Sequence, residues 1–222
     1  MAARTRGRPP RLSRAAVVEA ALTLIDAEGV EALTMRRLGA ELGVEAMALY
    51  TYVRNKDDLL AAVGERIVRE FAPDPVAERD WKGQIRASVR AWADLQARHP
   101  RAFPLVYRVT ASSRGGVPAV EGMLAAFGMA GLDPAQAARA YVTLIGCLDG
   151  MLLAGYLTTY AGGAAWRRAA RSVDSSRFPL YRAAAQHAAA LSGAEIFEHA
   201  LELLLRGIEQ DARASADRDG QR

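Results

Sequence analysis

The sequence predicts an all-α fold, a small bundle of short helices followed by a larger helical domain. Apolar residues recur at helical rather than strand spacing along nearly the whole chain, and no alternating run bounded by hairpin turns interrupts them. With 222 residues, 51% hydrophobic and 24% charged, the chain can also build a sizeable core.

Each element carries its own start and stop signals. Ser13 caps a first helix whose face is Val18, Ala21, Leu22 and Ile25, and Gly29 stops it. Thr34 caps a short second helix bearing Leu38 and Leu42, stopped by Gly43. A third helix spans about Glu45 to Tyr52, with Ala46, Leu49, Tyr50 and Val53 on one side and Met47, Ala48, Thr51 and Tyr52 on the other. Asn55 caps a fourth, with Asp57 and Asp58 in its first turn, running through Phe71 until Pro73 and Pro75 end it.

Longer elements follow. Trp81, Ile85, Val89, Trp92 and Leu95 form one stripe that ends before Pro100, and another helix begins near Phe103. Arg114 to Val117 read as a loop. Asp133 before Pro134 opens a helix expected to reach Tyr160, where Gly162 and Gly163 break it. Arg167 to Arg177 read as a solvated loop, followed by a helix near Tyr181 and a last one from Glu195 to Asp211. The expected division is a basic disordered arm at 1–12, a three-helix domain at 13–55, and a connecting helix and joint at 56–75. A larger domain at 76–212 and a disordered tail at 213–222 complete it.

Charge is unevenly spread. The net charge is +4, yet Arg4, Arg6, Arg8, Arg11 and Arg14 place five positive charges in the first fourteen residues and leave about −1 for the remainder. Such an arm suits nucleic acid, an acidic membrane surface or solubility. No early apolar stretch makes a secretory signal, so a cytoplasmic location is expected. The run Tyr141–Leu157 is shorter than the ~20 residues of a spanning helix and contains Asp149, so it reads as a buried core helix and no membrane partner is expected. Cys147, the single cysteine, rules out an intramolecular disulfide and reads as a packed structural residue.

Two short helices joined by a glycine-containing turn make a helix-turn-helix, whose second helix lies in the DNA major groove, and Met35 to Tyr52 fits it. Leu38, Leu42, Val44, Leu49 and Tyr50 form the inward face and leave the other face of the third helix for base edges. Arg36 and Arg37 can reach phosphate or guanine, and Lys56 adds its charge to a helix N-terminus that already favours phosphate.

The stretch Ala20 to Leu60 resembles the DNA-binding domain of the TetR repressor family. The shared elements are Leu33-Thr34 opening the second helix, the turn Leu42-Gly43-Val44, the pair Leu49-Tyr50, and Asn55-Lys56 before an acidic helix start. The resemblance implies phosphate contacts from Thr34 and Lys56, base reading by Arg36, and Met47, Ala48, Thr51 and Tyr52 facing the groove, with Leu49 and Tyr50 in the core. Thr51 and Tyr52 stand where the tetracycline repressor has Trp-His, which implies a different operator. The resemblance further implies double-stranded operator DNA as a partner, release by a small-molecule effector, and a homodimer through the helices from Pro134 and Glu195. Those helices are apolar over more than a narrow stripe, as a core and a partner subunit together require.

Trp92, Phe103, Tyr107, Phe127, Tyr141, Leu148, Met151 and Tyr181 are candidates to line a pocket for a largely apolar effector, with plain core packing as the alternative for each. His99, His187 and His199 are far apart, and no nucleophile elbow, phosphate loop or metal-spaced cluster occurs, so neither enzyme activity, nor a cofactor, nor a metal is expected. A dimeric DNA binder without an effector, and a helical binding protein or enzyme, remain the other readings of the residues.

Overall fold

The computed structural model describes residues 12–71, 80–109, 116–157 and 162–219, with side chains as far as Ser215. The helices are α1 (Arg14–Glu28), α2 (Met35–Leu42), α3 (Ala46–Leu49), α4 (Lys56–Val68), α5 (Trp81–Arg98), α6 (Gly116–Met129), α7 (Pro134–Leu153), α8 (Gly162–Ser172), α9 (Pro179–Ala188) and α10 (Gly193–Asp219). Two 3-10 turns, Val30–Ala32 and Phe103–Arg108, complete the described elements, which include no strand. The basic arm, except Leu12, and the prolines at 73 and 75 lie outside the described residues.

Local signals explain the starts. Ser13 Oγ accepts from Ala16 N at 3.2 Å, Thr34 Oγ1 from Arg37 N at 3.1 Å and Asn55 Oδ1 from Asp58 N at 2.8 Å, so each hydroxyl or amide satisfies an amide that the helix itself leaves unpaired. Asp133 and Gln136 make a reciprocal capping box at the start of α7.

Several helix ends differ from expectation. α4 stops at Val68 rather than beyond Phe71, because its last turn tightens into three-residue bonds, Glu70 N to Ile67 O at 2.9 Å and Phe71 N to Val68 O at 3.0 Å. The helix expected near Phe103 is a 3-10 turn. Of the loop expected at 114–117, Gly116 and Val117 open α6, and the other two residues lie outside the described set. α7 ends at Leu153, where Gly155 turns the chain at φ 74.

Gly162 and Gly163 start α8 rather than breaking a helix. The alanine- and arginine-rich stretch after them is strongly helix-forming, so the expected loop at 167–177 is helical as far as Ser172. The last helix continues from the expected Asp211 to Asp219, so residues 213–219 are not the disordered tail. Ser215 bonds both Asp211 O and the Gln136 side chain, which anchors this extension to α7.

By contacts the chain divides into two units, the first comprising residues to Phe71 with Arg98–Pro118, the second Ala72–Ala97 with Ala119 onward. The stretch Arg98–Pro118, expected in the larger domain, therefore groups with the N-terminal helices. The reason is packing: Phe103, Leu105 and Val106 are buried, and a Cβ at Gly64 of α4 would lie 2.6 Å from Leu105 O. Backbone meets helix surface there without room for a methyl group. Val17, Ala21 and Ile25 of α1, Leu38, Leu49, Leu59, Val63 and Ile67 fill the rest of this core.

In the second unit α7 packs on α10, and α8 on α9. Leu144, Leu148 and Leu152 of α7 and Phe197, Leu201 and Leu205 of α10 are buried. Arg86 grips Glu202 with two bonds of 2.7 and 3.0 Å, and Lys82 pairs with Glu209 at 2.9 Å. The run read as a buried core helix is buried on one side only, since Val142 is 68% exposed and Leu153 and Cys147 are also open in the single chain. Cys147 sits next to Leu148 in the helix and so points away from the core that Leu148 fills.

Gly64→Ala should destabilise the protein by about 1–3 kcal/mol, because the added methyl meets a carbonyl oxygen rather than a movable side chain. Thermal unfolding measures it, and an unchanged midpoint would show that the Phe103–Arg108 turn is not held against α4.

Candidate nucleic-acid interface

The turn between α2 and α3 is built on two glycines. Gly43 takes the left-handed conformation at φ 68, where side chains are strained, and its amide closes α2 on Ala40 O at 3.2 Å. Gly39, one turn earlier, lets the chain fold back: a Cβ there would sit 2.7 Å from Val44 O, and Val44 N bonds Gly39 O at 2.9 Å. The two helices are thereby brought into contact with no side chain between them.

α3 is a single turn, Ala46–Leu49, shorter than the expected Glu45–Tyr52. It continues as tighter turns in which Tyr50 N bonds Met47 O and Thr51 N bonds Ala48 O, each at 3.3 Å. Leu49 and Val53, four residues apart, take the buried positions. Tyr50 lies about 100° around the helix from Leu49 and is 44% exposed, so its expected core role is corrected.

The outward face holds Met47, 75% exposed, with Thr51 exposed and Ala48 and Tyr52 half-buried. Arg36 is exposed and makes no hydrogen bond or ion pair among the described residues. Arg37 instead bonds the Glu28 carboxylate at the end of α1, and Thr34 spends its hydroxyl oxygen as the α2 cap. Lys56 is the first residue of α4 and half-buried.

Three further residues belong to this surface: Arg14, read from the sequence only as part of the basic arm, Asp58, and Arg54, which had no role assigned from the sequence. The Asp58 carboxylate accepts from Arg54 N at 2.9 Å and lies 3.4 Å from the guanidinium groups of both Arg14 and Arg54. The bond from the Arg54 amide holds the Asp58 carboxyl below its ordinary range against the opposing effect of burial, helped by the two arginines. Asp58 was legible only as a first-turn acid; its partner Arg14 is 44 residues away, and no local pattern links them. The result is a protruding, uncharged or hydroxyl-bearing helix turn flanked by Arg14, Arg36, Arg54 and Lys56, which can approach base edges while cations meet phosphates.

The candidate pocket residues fall in both units. Phe103 and Tyr107 belong to the first unit, where their rings meet edge to face at 5.6 Å. In the second unit Trp92 Nε1 donates to the buried Asp149 at 2.8 Å, beside Leu148. Phe127 is buried, Tyr141 and Met151 are half-buried, and Tyr181 is exposed on α9 against Trp166 at 5.7 Å. Burial, with Asp149 nearby, pushes the Tyr141 hydroxyl up. Among the described residues no group of histidine, cysteine and acidic side chains could hold a metal ion, and no helix is long and apolar enough to cross a membrane.

Comparison with known proteins agrees with this surface. Residues 17–63 match the family described as bacterial regulatory proteins, tetR family, and residues 73–212 match the tetracyclin repressor-like C-terminal domain. The HTH-type transcriptional repressor DrrR1 of Streptomyces coeruleorubidus is 41% identical over 97 residues, 43% of this chain and 36% of that protein. The class D tetracycline repressor of Escherichia coli is 29% identical over 201 residues, 90% of each. The Streptomyces coelicolor TetR family protein ActR, in its structure with actinorhodin, has the same fold at TM-score 0.77 and 24% identity, covering 90% of this chain and 98% of that one.

Asp58→Asn should lower stability at neutral pH by about 1 kcal/mol, because the interaction is partly solvent-screened. Since the folded carboxyl is held below the ordinary 3.8, its contribution is present above that value and lost as pH falls through the lowered one. Thermal midpoints of the two proteins should differ at neutral pH and converge in acid; a constant difference would refute the electrostatic assignment.

Proposed function

The chain belongs to the TetR family of bacterial regulatory proteins, and on that premise we propose that it is a one-component transcriptional repressor, working in the cytoplasm, that binds a palindromic operator as a homodimer and is released by a small-molecule effector. The observation that carries the reading is the outward face of α3, with Met47 and Thr51 prominent between cations supplied by α1, α2 and the start of α4.

In this reading Arg36 reads a base, and Met47, Ala48, Thr51 and Tyr52 meet the groove floor. Lys56, Arg54 and Arg14 position the head on phosphates, and the Thr34 hydroxyl, which accepts from Arg37, still has its own proton to donate to one. Arg37 acts mainly as a tether to α1 through Glu28.

Dimerisation is supported by what the single chain leaves open. Val142 on α7 and Leu203 on α10, 68% and 50% exposed, flank a groove of about 570 Å³ lined by Ala140, Thr143, Leu204 and Gly207. A second copy covering both helices would remove these side chains from water. The effector reading is supported by the buried pair Trp92–Asp149, an oriented polar group inside an apolar domain; Phe127, Tyr141, Leu148 and Met151 are candidates to share its site. The structure of ActR with actinorhodin supports small-molecule binding on this fold. Release then follows as a population shift toward dimers whose reading heads no longer match major grooves about 34–36 Å apart.

Selection of bound DNA from a random duplex pool should recover an inverted repeat; no enrichment at low salt would refute the reading head. On the recovered site, Arg36→Ala should cost about 1–3 kcal/mol and relax preference at one base pair, and unchanged affinity would remove it from base reading. Lys56→Ala should weaken all sequences alike and lower the salt dependence by roughly one phosphate; a loss confined to particular bases would contradict that role.

A further inference from the structure

The chain leaving α5 is fastened to α1 and α4 by charged groups that the DNA-facing surface does not use. At their centre His99, its side chain 13% exposed, places Nδ1 2.7 Å from Asp26 Oδ2 on α1 and Nε2 3.2 Å from Glu70 Oε2, just beyond α4. Arg98 pairs with Glu70, and Arg66 of α4 bonds Glu70 at 2.7 Å and also Glu19 of α1. Arg101 binds the carbonyl oxygens of Asp26, at 3.1 Å, and Ala27 at the end of α1. Farther on, Leu105 lies against Gly64, and Arg108 is 3.7 Å from Asp57.

A neutral imidazole has one N–H and one lone pair, whereas carboxylates accept only. Only the imidazolium donates to both carboxylates at once; the neutral ring must turn a lone pair toward one of them, although Glu70 also accepts from Arg66 and Arg98. Asp26 sharpens this requirement, because its Oδ1 is buried with no hydrogen-bond partner among the described residues and its Oδ2 depends on His99. Burial alone would raise the Glu70 carboxyl, but bonds from His99 and Arg66 and the charges of His99 and Arg98 hold it below the ordinary 4.5.

We propose that Asp26, His99 and Glu70 form a proton-sensitive latch that locks the segment Arg98–Arg108 onto α1 and α4 when His99 is protonated and loosens it when the proton is lost. The groups facing the ring oppose one another. Arg98, Arg66 and Arg101 disfavour the proton, but each is already engaged by a carboxylate or carbonyl oxygen, while Asp26 and Glu70 touch the ring directly and favour it. The latch therefore tightens when the ring gains its proton on acidification, and loosens again where Glu70 itself binds a proton, below its ordinary 4.5. Because α5 runs covalently into this segment, the latch sets how firmly a displacement at the end of α5 is passed to α1 and α4.

Amide hydrogen exchange over residues 98–108, corrected for the intrinsic effect of pH, tests this without DNA or effector. Protection in the wild-type protein should fall about tenfold between about pH 6 and about pH 8, whereas in His99→Gln it should be low and the same at both. Unchanged wild-type protection, or a pH dependence that survives in His99→Gln, would overturn the latch. Should that variant not fold, the nitrogen spectrum of the wild-type imidazole at the pH of greatest protection decides: two protonated ring nitrogens are expected for His99 there, and a neutral tautomer overturns the proposal.

Discussion

A helix of four residues forms too few hydrogen bonds to offset the cost of its own nucleation, so α3 keeps its shape only because Leu49 and Val53 are buried beneath it and Gly39 admits the chain against α2. That constraint partitions the element. Residues a helical turn apart are consumed by packing, and Met47 and Thr51, each two residues before one of them, are left to face outward. Because the helix has no length to spare, its orientation is set entirely by its neighbours, which is why Asp58, Asn55 and Thr34 matter although none lies on α3. They fix the chain where it enters α2 and α4, and Asp58 holds two arginines beside the protruding turn.

The same unit extends beyond the N-terminal helices. The segment from Arg98 to Arg108 is riveted along α4 by a backbone contact at Gly64 and by the charged cluster around His99. In the second unit, buried leucines and phenylalanine on α7 and α10 form the core while the opposite faces of the same helices stay apolar and open. One helix pair thereby carries both an internal core and an apolar surface that is open in the single chain.

Much of the first unit was legible because its signals are local. Ser13, Thr34 and Asn55 sit three residues before the amides they cap, Gly43 marks the stop of α2, and the Leu42-Gly43-Val44 turn identifies the motif. Tyr50 was misplaced because periodicity over a one-turn helix does not separate Leu49 from its neighbour. Arg14 was read only as part of the basic arm, because the carboxylate that organises it lies on another helix 44 residues away, and Arg54 was missed although the same carboxylate is only four residues on. In the second unit, Gly162-Gly163 looked like a break and Arg167 to Arg177 like a loop, since pairing between α8 and α9 is a tertiary contact. Phe103 and Tyr107 were grouped with the other aromatics on composition alone, and their packing against α4 places both in the first unit.

The central claim is that two copies of this head read two half-sites in fixed register. It is tested most directly by measuring binding and stoichiometry on a selected inverted-repeat duplex and on the same duplex with about five base pairs, half a helical turn, inserted at its centre. The account predicts two chains per duplex and a loss of most of the affinity on insertion, because the second head is turned to the opposite side of the DNA. Affinity indifferent to the insertion, or one chain per duplex, would contradict it.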